Sequence, residues 1–146
     1  MGITRVLFSG KGSMPVLERA IAFTEKRQTV LAHNLANVDT VGYKAKDLDQ
    51  DSFNALLQDA VEERDSQHPR EFSMKSGRNV SIDKIDGSLN FKVYEPEDES
   101  FLRHDGNNFT YESELTKIVK NSMAHRAYTK FLKSNFDGLT KAITGR

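Results

Sequence analysis

The two ends of this 146-residue chain carry the same apolar rhythm, and that rhythm limits the folds open to it. From Pro15 to Asn37 there is no further proline and no glycine. Across this stretch Met14, Leu17, Ile21, Thr24, Gln28, Leu31, Leu35 and Val38 step alternately by three and four residues. That is the heptad spacing of a helix packed lengthwise against another. Thr24 and Gln28 are its polar members. A second stripe, Val16, Phe23 and Val30, repeats every seven residues beside the first. Together the stripes cover roughly half the circumference. Pro15 suits the first turn, with Ser13 or Met14 as the cap.

The C-terminal segment repeats the design. Leu115, Ile118, Ser122, His125, Thr129, Leu132, Phe136, Leu139 and Ile143 alternate steps of three and four, with Val119, Met123, Ala127 and Phe131 alongside. Thr110 is the expected N-cap. Glu112 and Glu114 fall in the first turn, where the helix dipole favours anions. Gly138 is the one internal blemish, costing about 1 kcal/mol relative to alanine. The spacing predicts a helix of roughly 33 residues, about 50 Å long.

Between these ends the composition changes. Residues 47–110 hold fifteen acidic and seven basic side chains, whereas each flank (1–46 and 111–146) holds seven basic and three acidic, so the net charge of zero conceals a basic–acidic–basic order. Apolar residues are also sparser in the middle, which places the core-forming capacity at the ends. Phe53, Leu56, Leu57, Ala60 and Val61 share one face of a short helix over 51–63. Beyond it come turn signals at His68-Pro69, Ser76-Gly77, Asp86-Gly87 and Asp105-Gly106. Val80/Ile82 and Leu89/Phe91/Val93 alternate as short strands would. The acidic run 95–99 reads as a solvated loop. The expected fold is mainly α, with long N- and C-terminal helices paired as a coiled coil, a short central helix and an irregular, β-poor middle. The expected segments are 1–43, 44–110 and 111–146.

Pairing the two long helices satisfies one stripe on each. The second stripes then require either a middle segment folded back on them or neighbouring subunits.

The first helix ends in Asn34-Leu35-Ala36-Asn37-Val38-Asp39-Thr40-Val41-Gly42-Tyr43-Lys44, where side chains that bond to the backbone and a glycine stop it. The pattern Asn34, Leu35, Ala36, Asn37, Thr40, Gly42, Tyr43, Lys44 resembles the N-terminal signature of bacterial flagellar rod and hook proteins. The continuation to Asp47 is similar to the proximal-rod subtype, as are Asn107-Asn108, Glu114-Leu115 and Lys120-Asn121-Ser122. Val41 stands where that subtype commonly has proline. The resemblance spans both ends and is weak over 64–105. It implies a structural subunit of the proximal rod, a hollow torque-transmitting shaft in the periplasmic envelope, exported by the flagellar type III apparatus. The implied partners are other rod proteins, basal-body base components, the export apparatus and copies of the chain itself. Leu17, Ile21, Leu31, Leu35, Leu115, Ile118, Leu132, Phe136 and Leu139 are then the coiled-coil contacts. Asn34, Ala36, Asn37, Thr40, Gly42, Tyr43 and Lys44 form the junction. A rival reading, a helical-bundle adaptor or export chaperone holding a single protein partner, uses the same helices.

Other chemistry finds little support. There is no cysteine, which excludes disulfides, thiolate zinc sites and cysteine nucleophiles. His33, His68, His104 and His125 form no zinc-type pair. Asp47-x-Asp49-x-Asp51 opens like a calcium loop but has Ser52 and Gln58 where glycine and glutamate are required, so it reads as a solvated turn capping the central helix. No nucleophile elbow or phosphate loop occurs, and neither an enzyme nor a cofactor is expected. Lys117, Lys120, Arg126, Lys130, Lys133 and Lys141 spread around the helix and do not form a nucleic-acid stripe. No window of 18 apolar residues exists for a membrane span. Val6-Leu7-Phe8 is too short for the core of a secretory signal. Phe53 and Leu57 fit a loose export-docking pattern resembling that of early flagellar substrates, although their spacing of four on a helix face favours the core.

Overall fold

A computed structural model describes residues 13–66, 72–83, 88–96 and 109–145. The elements in chain order are α1 (Ser13–Ala36), β1 (Asp47–Leu48), α2 (Gln50–Ser66), β2 (Val80–Ile82), β3 (Leu89–Phe91), β4 (Val93–Tyr94) and α3 (Tyr111–Thr144). The mainly α architecture and the long terminal helices match the sequence reading. The Val6–Phe8 run, Asn107-Asn108, His68, His104, most of the 95–99 run and three of the four turn signals lie outside the described residues.

Helix α1 includes Ser13 and Met14, which were read as caps, and Pro15 lies in its first turn. Helix α3 begins as expected. Thr110 is extended (φ −118°, ψ 156°), and its hydroxyl accepts from the Ser113 N–H while Ser113 Oγ accepts from the Thr110 N–H. Two orphan donors are thereby satisfied. Thr110→Ala is expected to lower stability by about 1 kcal/mol, read from the urea midpoint. An unchanged midpoint would mean that the cap forms no better than its hydrated alternative. At the other end Gly145 takes the left-handed conformation (φ 66°) and donates to Lys141 O.

The strands make two antiparallel pairs. Asp47 and Leu48 lie opposite Tyr94 and Val93, and Val80, Ser81 and Ile82 lie opposite Phe91, Asn90 and Leu89. They fold the middle segment onto α1, answering part of the question left by the second stripe. Val16, Phe23 and Val30 form one side of the hydrophobic core. Leu48, Phe53, Leu57, Ala60, Val61, Met74 and Val80 form the other. Phe23 stacks on Phe53 with centroids 4.2 Å apart, and Phe91 meets both rings edge-on.

This corrects the placement of core-forming capacity at the two ends. Among the described residues α3 contributes nothing to that core, and its buried residues are Glu114 and Asn121. Sparse apolar residues in the middle suffice because they share one face of α2 and alternate along β2–β4. Helix α1 is therefore covered twice, by the middle segment on its second stripe and by α3 on its heptad face.

Candidate functional site

The junction after α1 is organised by one side chain. Asn34 is fully buried. Its Nδ2 donates to Lys46 O (2.7 Å) and Glu114 Oε2 (2.8 Å), and its Oδ1 accepts from Lys46 N (3.0 Å) and Tyr43 Oη (3.3 Å). An amide has two donors and two acceptor positions, so this one is saturated. It pairs with both backbone groups of Lys46 as a neighbouring strand would, and it reaches the first turn of α3. One residue thus joins the end of α1, the returning chain and the start of α3.

The segment between makes that return possible. Asn37 N, Val38 N, Thr40 N and Tyr43 N each donate to the carbonyl three residues back. Gly42 adopts φ +75°, which side chains disfavour. Asn37 Nδ2 donates to His33 O, and Thr40 Oγ1 donates to Asn37 Oδ1. The Tyr43 ring meets Phe109 edge-on at 5.9 Å. Ala36, Thr40, Val41 and Lys44 are exposed. Asn37 and Thr40 thus shape the turn, and Asn34 and Tyr43 anchor it.

The acidic triplet is only partly the solvated turn expected of it. Asp47 is buried, and its carboxylate takes a bidentate ion pair from Arg27 (Nε–Oδ1 and Nη2–Oδ2 both 2.8 Å), which also donates to Gln50 Oε1. Donating to the Asp47 carboxylate raises the Arg27 guanidinium pKa above its ordinary value. Burial was unforeseeable because the partner lies 20 residues away on α1. Asp49 does cap α2, accepting from Ser52 N (2.9 Å), Ser52 Oγ and Asn79 Nδ2 (2.7 Å). Donation by the Ser52 hydroxyl is the main reason its pKa lies below the ordinary 3.8. A depressed carboxylate contributes stability that is present above its unfolded value and lost as pH falls through the folded one. Asp49→Asn is therefore expected to flatten the acid limb of the stability curve below about pH 4, measured by urea unfolding from pH 2 to 6. An identical acid limb would refute this.

Helices α1 and α3 run antiparallel, and polar side chains are bonded across their seam. Asn121 Nδ2 donates to Thr24 O (2.9 Å) and Gln28 Oε1 (2.8 Å), and Asn135 Nδ2 donates to Ser13 Oγ (2.8 Å). His125 Nδ1 lies 3.0 Å from Thr24 Oγ1, which also lies 2.8 Å from Ile21 O. Glu114, fully buried, accepts from Asn34 and from Lys117 Nζ (2.7 Å). An open groove of about 780 Å³ separates the helices beside this seam, lined by Thr24, Gln28, His33, Asn121 and His125 among others.

The nine residues read as coiled-coil contacts divide. Leu17 and Leu31 are fully buried, and Ile21, Leu35, Ile118 and Leu132 are half-buried. Leu115, Phe136 and Leu139 are 40%, 50% and 51% exposed. The hydrogen bonds between α3 and α1 run through Glu114, Asn121, Ser122, His125 and Asn135, and apart from Ser122 these share a face with the half-buried Ile118, Tyr128 and Leu132. That seam departs from the expected one by a single residue at every second position. Val119, Met123 and Ile143 are exposed as well. Phe53 and Leu57 are 2% and 1% exposed core residues. Sequence reading treated Thr24 and Gln28 as polar members of an otherwise apolar seam, Glu114 as a first-turn anion and a motif residue, and Asn121 as a motif residue. Polar residues at matching heptad positions of both helices were the available signal.

Among the described residues no group of three or more acidic or imidazole side chains is placed to hold a metal, and no helix is long and apolar enough to cross a membrane. Residues 14–44, from the start of α1 through the junction, match the family model described as flagella basal body rod protein. The flagellar basal body rod protein FlgB of Bacillus subtilis (strain 168) is 30% identical to this chain over 95% of its length and 97% of the relative's. The FlgB of Aquifex aeolicus (strain VF5) is 32% identical over 88% and 90%, and that of Proteus mirabilis (strain HI4320) is 31% identical over 86% and 89%. With signature, helical hairpin and near full-length relatives in agreement, the chain belongs to the flagellar basal body rod proteins of the FlgB type.

Proposed function

We propose that this chain is a structural subunit of the proximal rod. It leaves the cytoplasm through the flagellar type III apparatus without a cleaved signal and assembles in the periplasmic envelope as part of a hollow, torque-transmitting shaft. One observation carries this reading. Helix α3 turns a mixed face, bonded through Glu114, Asn121, His125 and Asn135, to its own chain and leaves Leu115, Val119, Met123, Phe136, Leu139 and Ile143 exposed. Scattered exposed apolar residues are ordinary, but two groups in register along one long helix suit contacts with neighbours. Repeated head-to-tail, such contacts build an open helical array of the chain with copies of itself and other rod proteins. The segments 1–43 and 111–146 then supply the shaft, and 44–110 braces α1 from its other side. If Phe53 and Leu57 are read at the export gate, they are read before folding, since both are core residues afterwards.

The test is complementation of a strain lacking its own proximal rod subunit. Restored swimming, with the chain recovered in purified basal bodies, is the expected result. A chain that restores export of other subunits while remaining in the cytoplasm would favour the adaptor or chaperone reading.

A further inference from the structure

We propose that the buried polar contacts between α1 and α3 act as a rotational lock, selecting which face of α3 the chain keeps for itself. Two heptad phases are written into α3. The observed one places Glu114, Ile118, Asn121, His125, Tyr128, Leu132 and Asn135 against α1. The other would place Leu115, Ile118, Ser122, His125, Thr129, Leu132 and Phe136 there. They share Ile118, His125 and Leu132 and differ by one residue at the alternate positions, which turns the mean face by about 50° about the helix axis, half of the step between neighbouring residues. The second phase is the more apolar, since it gains Leu115 and Phe136 for Glu114 and Asn135 while giving up only Tyr128 for Thr129. Hydrophobic burial alone would choose it.

The structure adopts the first, with a specific polar partner for each differing position it buries deeply. Glu114 (0% exposed) meets Asn34, which is committed to Lys46 and Tyr43 and cannot follow a rotating α3. Asn121 (4% exposed) uses both amide protons on Thr24 O and Gln28 Oε1. Asn135 meets Ser13, itself 1% exposed, at the far end. Turning α3 to the second phase would break all three contacts and set leucine and phenylalanine toward Asn34 and Ser13, whereas Gln28, which Ser122 Oγ already reaches at 3.5 Å, would keep a partner. A buried polar group that loses its partner is costly, whereas the same group paired contributes little net stability. Such contacts specify an arrangement more than they stabilise it, as single polar residues do in coiled-coil seams. The lock stands on the proposed assembly only for its purpose, keeping Leu115 and Phe136 available to neighbours. Its test reads rotation within one chain and is independent of assembly.

The chain has no cysteine, so introduced thiols report unambiguously. Ser13→Cys with Asn135→Cys reports the observed phase, and Ser13→Cys with Phe136→Cys the alternative. In the parent the first pair should oxidise efficiently and the second poorly. Adding Glu114→Ala and Asn121→Ala removes the lock without adding apolar surface to the observed seam. The ratio of the two cross-links is then expected to shift by about tenfold or more toward the Phe136 pair. Glu114→Gln retains an oxygen acceptor for Asn34 and should keep the parent ratio. Hydrogen exchange at the Phe53 and Leu57 amides, in a core that α3 does not enter, monitors the rest of the fold. An unchanged ratio in the double-alanine variant overturns the proposal. So does loss of both cross-links, which would make these residues an attachment without a preferred phase, and so does loss of core protection, which would make them general supports of the fold.

Discussion

A chain carrying Phe136→Asp is expected to fold about as stably as the parent and to support no swimming. Phe136 is half exposed on α3, one residue beyond the Asn135–Ser13 contact. It lies two turns before the helix end at Thr144, outside the reach of the terminal dipole. Removing the ring from the isolated chain should therefore change stability by no more than about 1 kcal/mol. In the assembly the same side chain would be a buried aromatic anchor, and truncating such anchors costs about 2 kcal/mol or more, roughly thirtyfold in association per contact. Aspartate adds an uncompensated charge at the interface. Repeated at every subunit of an array, that loss leaves no shaft. Met123→Asp, in the other group of the stripe and 65% exposed, should behave alike. Leu132→Asp makes the contrast, since Leu132 lies in the intrachain seam and should lower the unfolding midpoint as well. Swimming at parental speed with Phe136→Asp and Met123→Asp would show that the outward stripe has no part in assembly.

The same residues show how far sequence alone reaches. Heptad spacing reported two long helices and their extents because periodicity needs only local information. Thr110 was legible as a cap for the same reason. The phase of α3 was not, because two phases differing by one residue share Ile118, His125 and Leu132, and apolar content favours the one not adopted. Deciding between them required knowing that Asn34 would be held by Lys46 and Tyr43 with a spare amide proton for Glu114. That fact depends on the fold of the intervening turn. Asp47 failed in the same way, since a carboxylate in an acidic run looks solvated until Arg27 is found one helix away. The second stripe of α1 was correctly read as needing a partner. Its partner was identified only once α2 and β2–β4 were seen to point their few apolar side chains one way.

Asn34→Ala is expected to be the most damaging conservative truncation in the junction, lowering stability by about 3 kcal/mol or more in urea unfolding. Four bonds disappear together, and the groups left behind are the Lys46 N–H and carbonyl, the Tyr43 hydroxyl and the buried Glu114 carboxylate of α3. Lys117 still reaches Glu114, so that charge keeps one partner. Asn34→Asp separates geometry from chemistry at this position. It preserves shape, yet it removes both donors and sets a second carboxylate against Glu114 at hydrogen-bond distance. Two carboxylates so placed share a proton more readily than they both ionise, so the pair's upper apparent pKa rises in the folded state. A carboxyl whose folded pKa is raised favours the folded form as pH falls through that value. Asn34→Asp should therefore be less stable than Asn34→Ala at pH 7 and recover relative to it toward pH 5. If the two variants instead track each other across that range, the Asn34 amide and the Glu114 carboxylate are not the coupled pair the structure makes them.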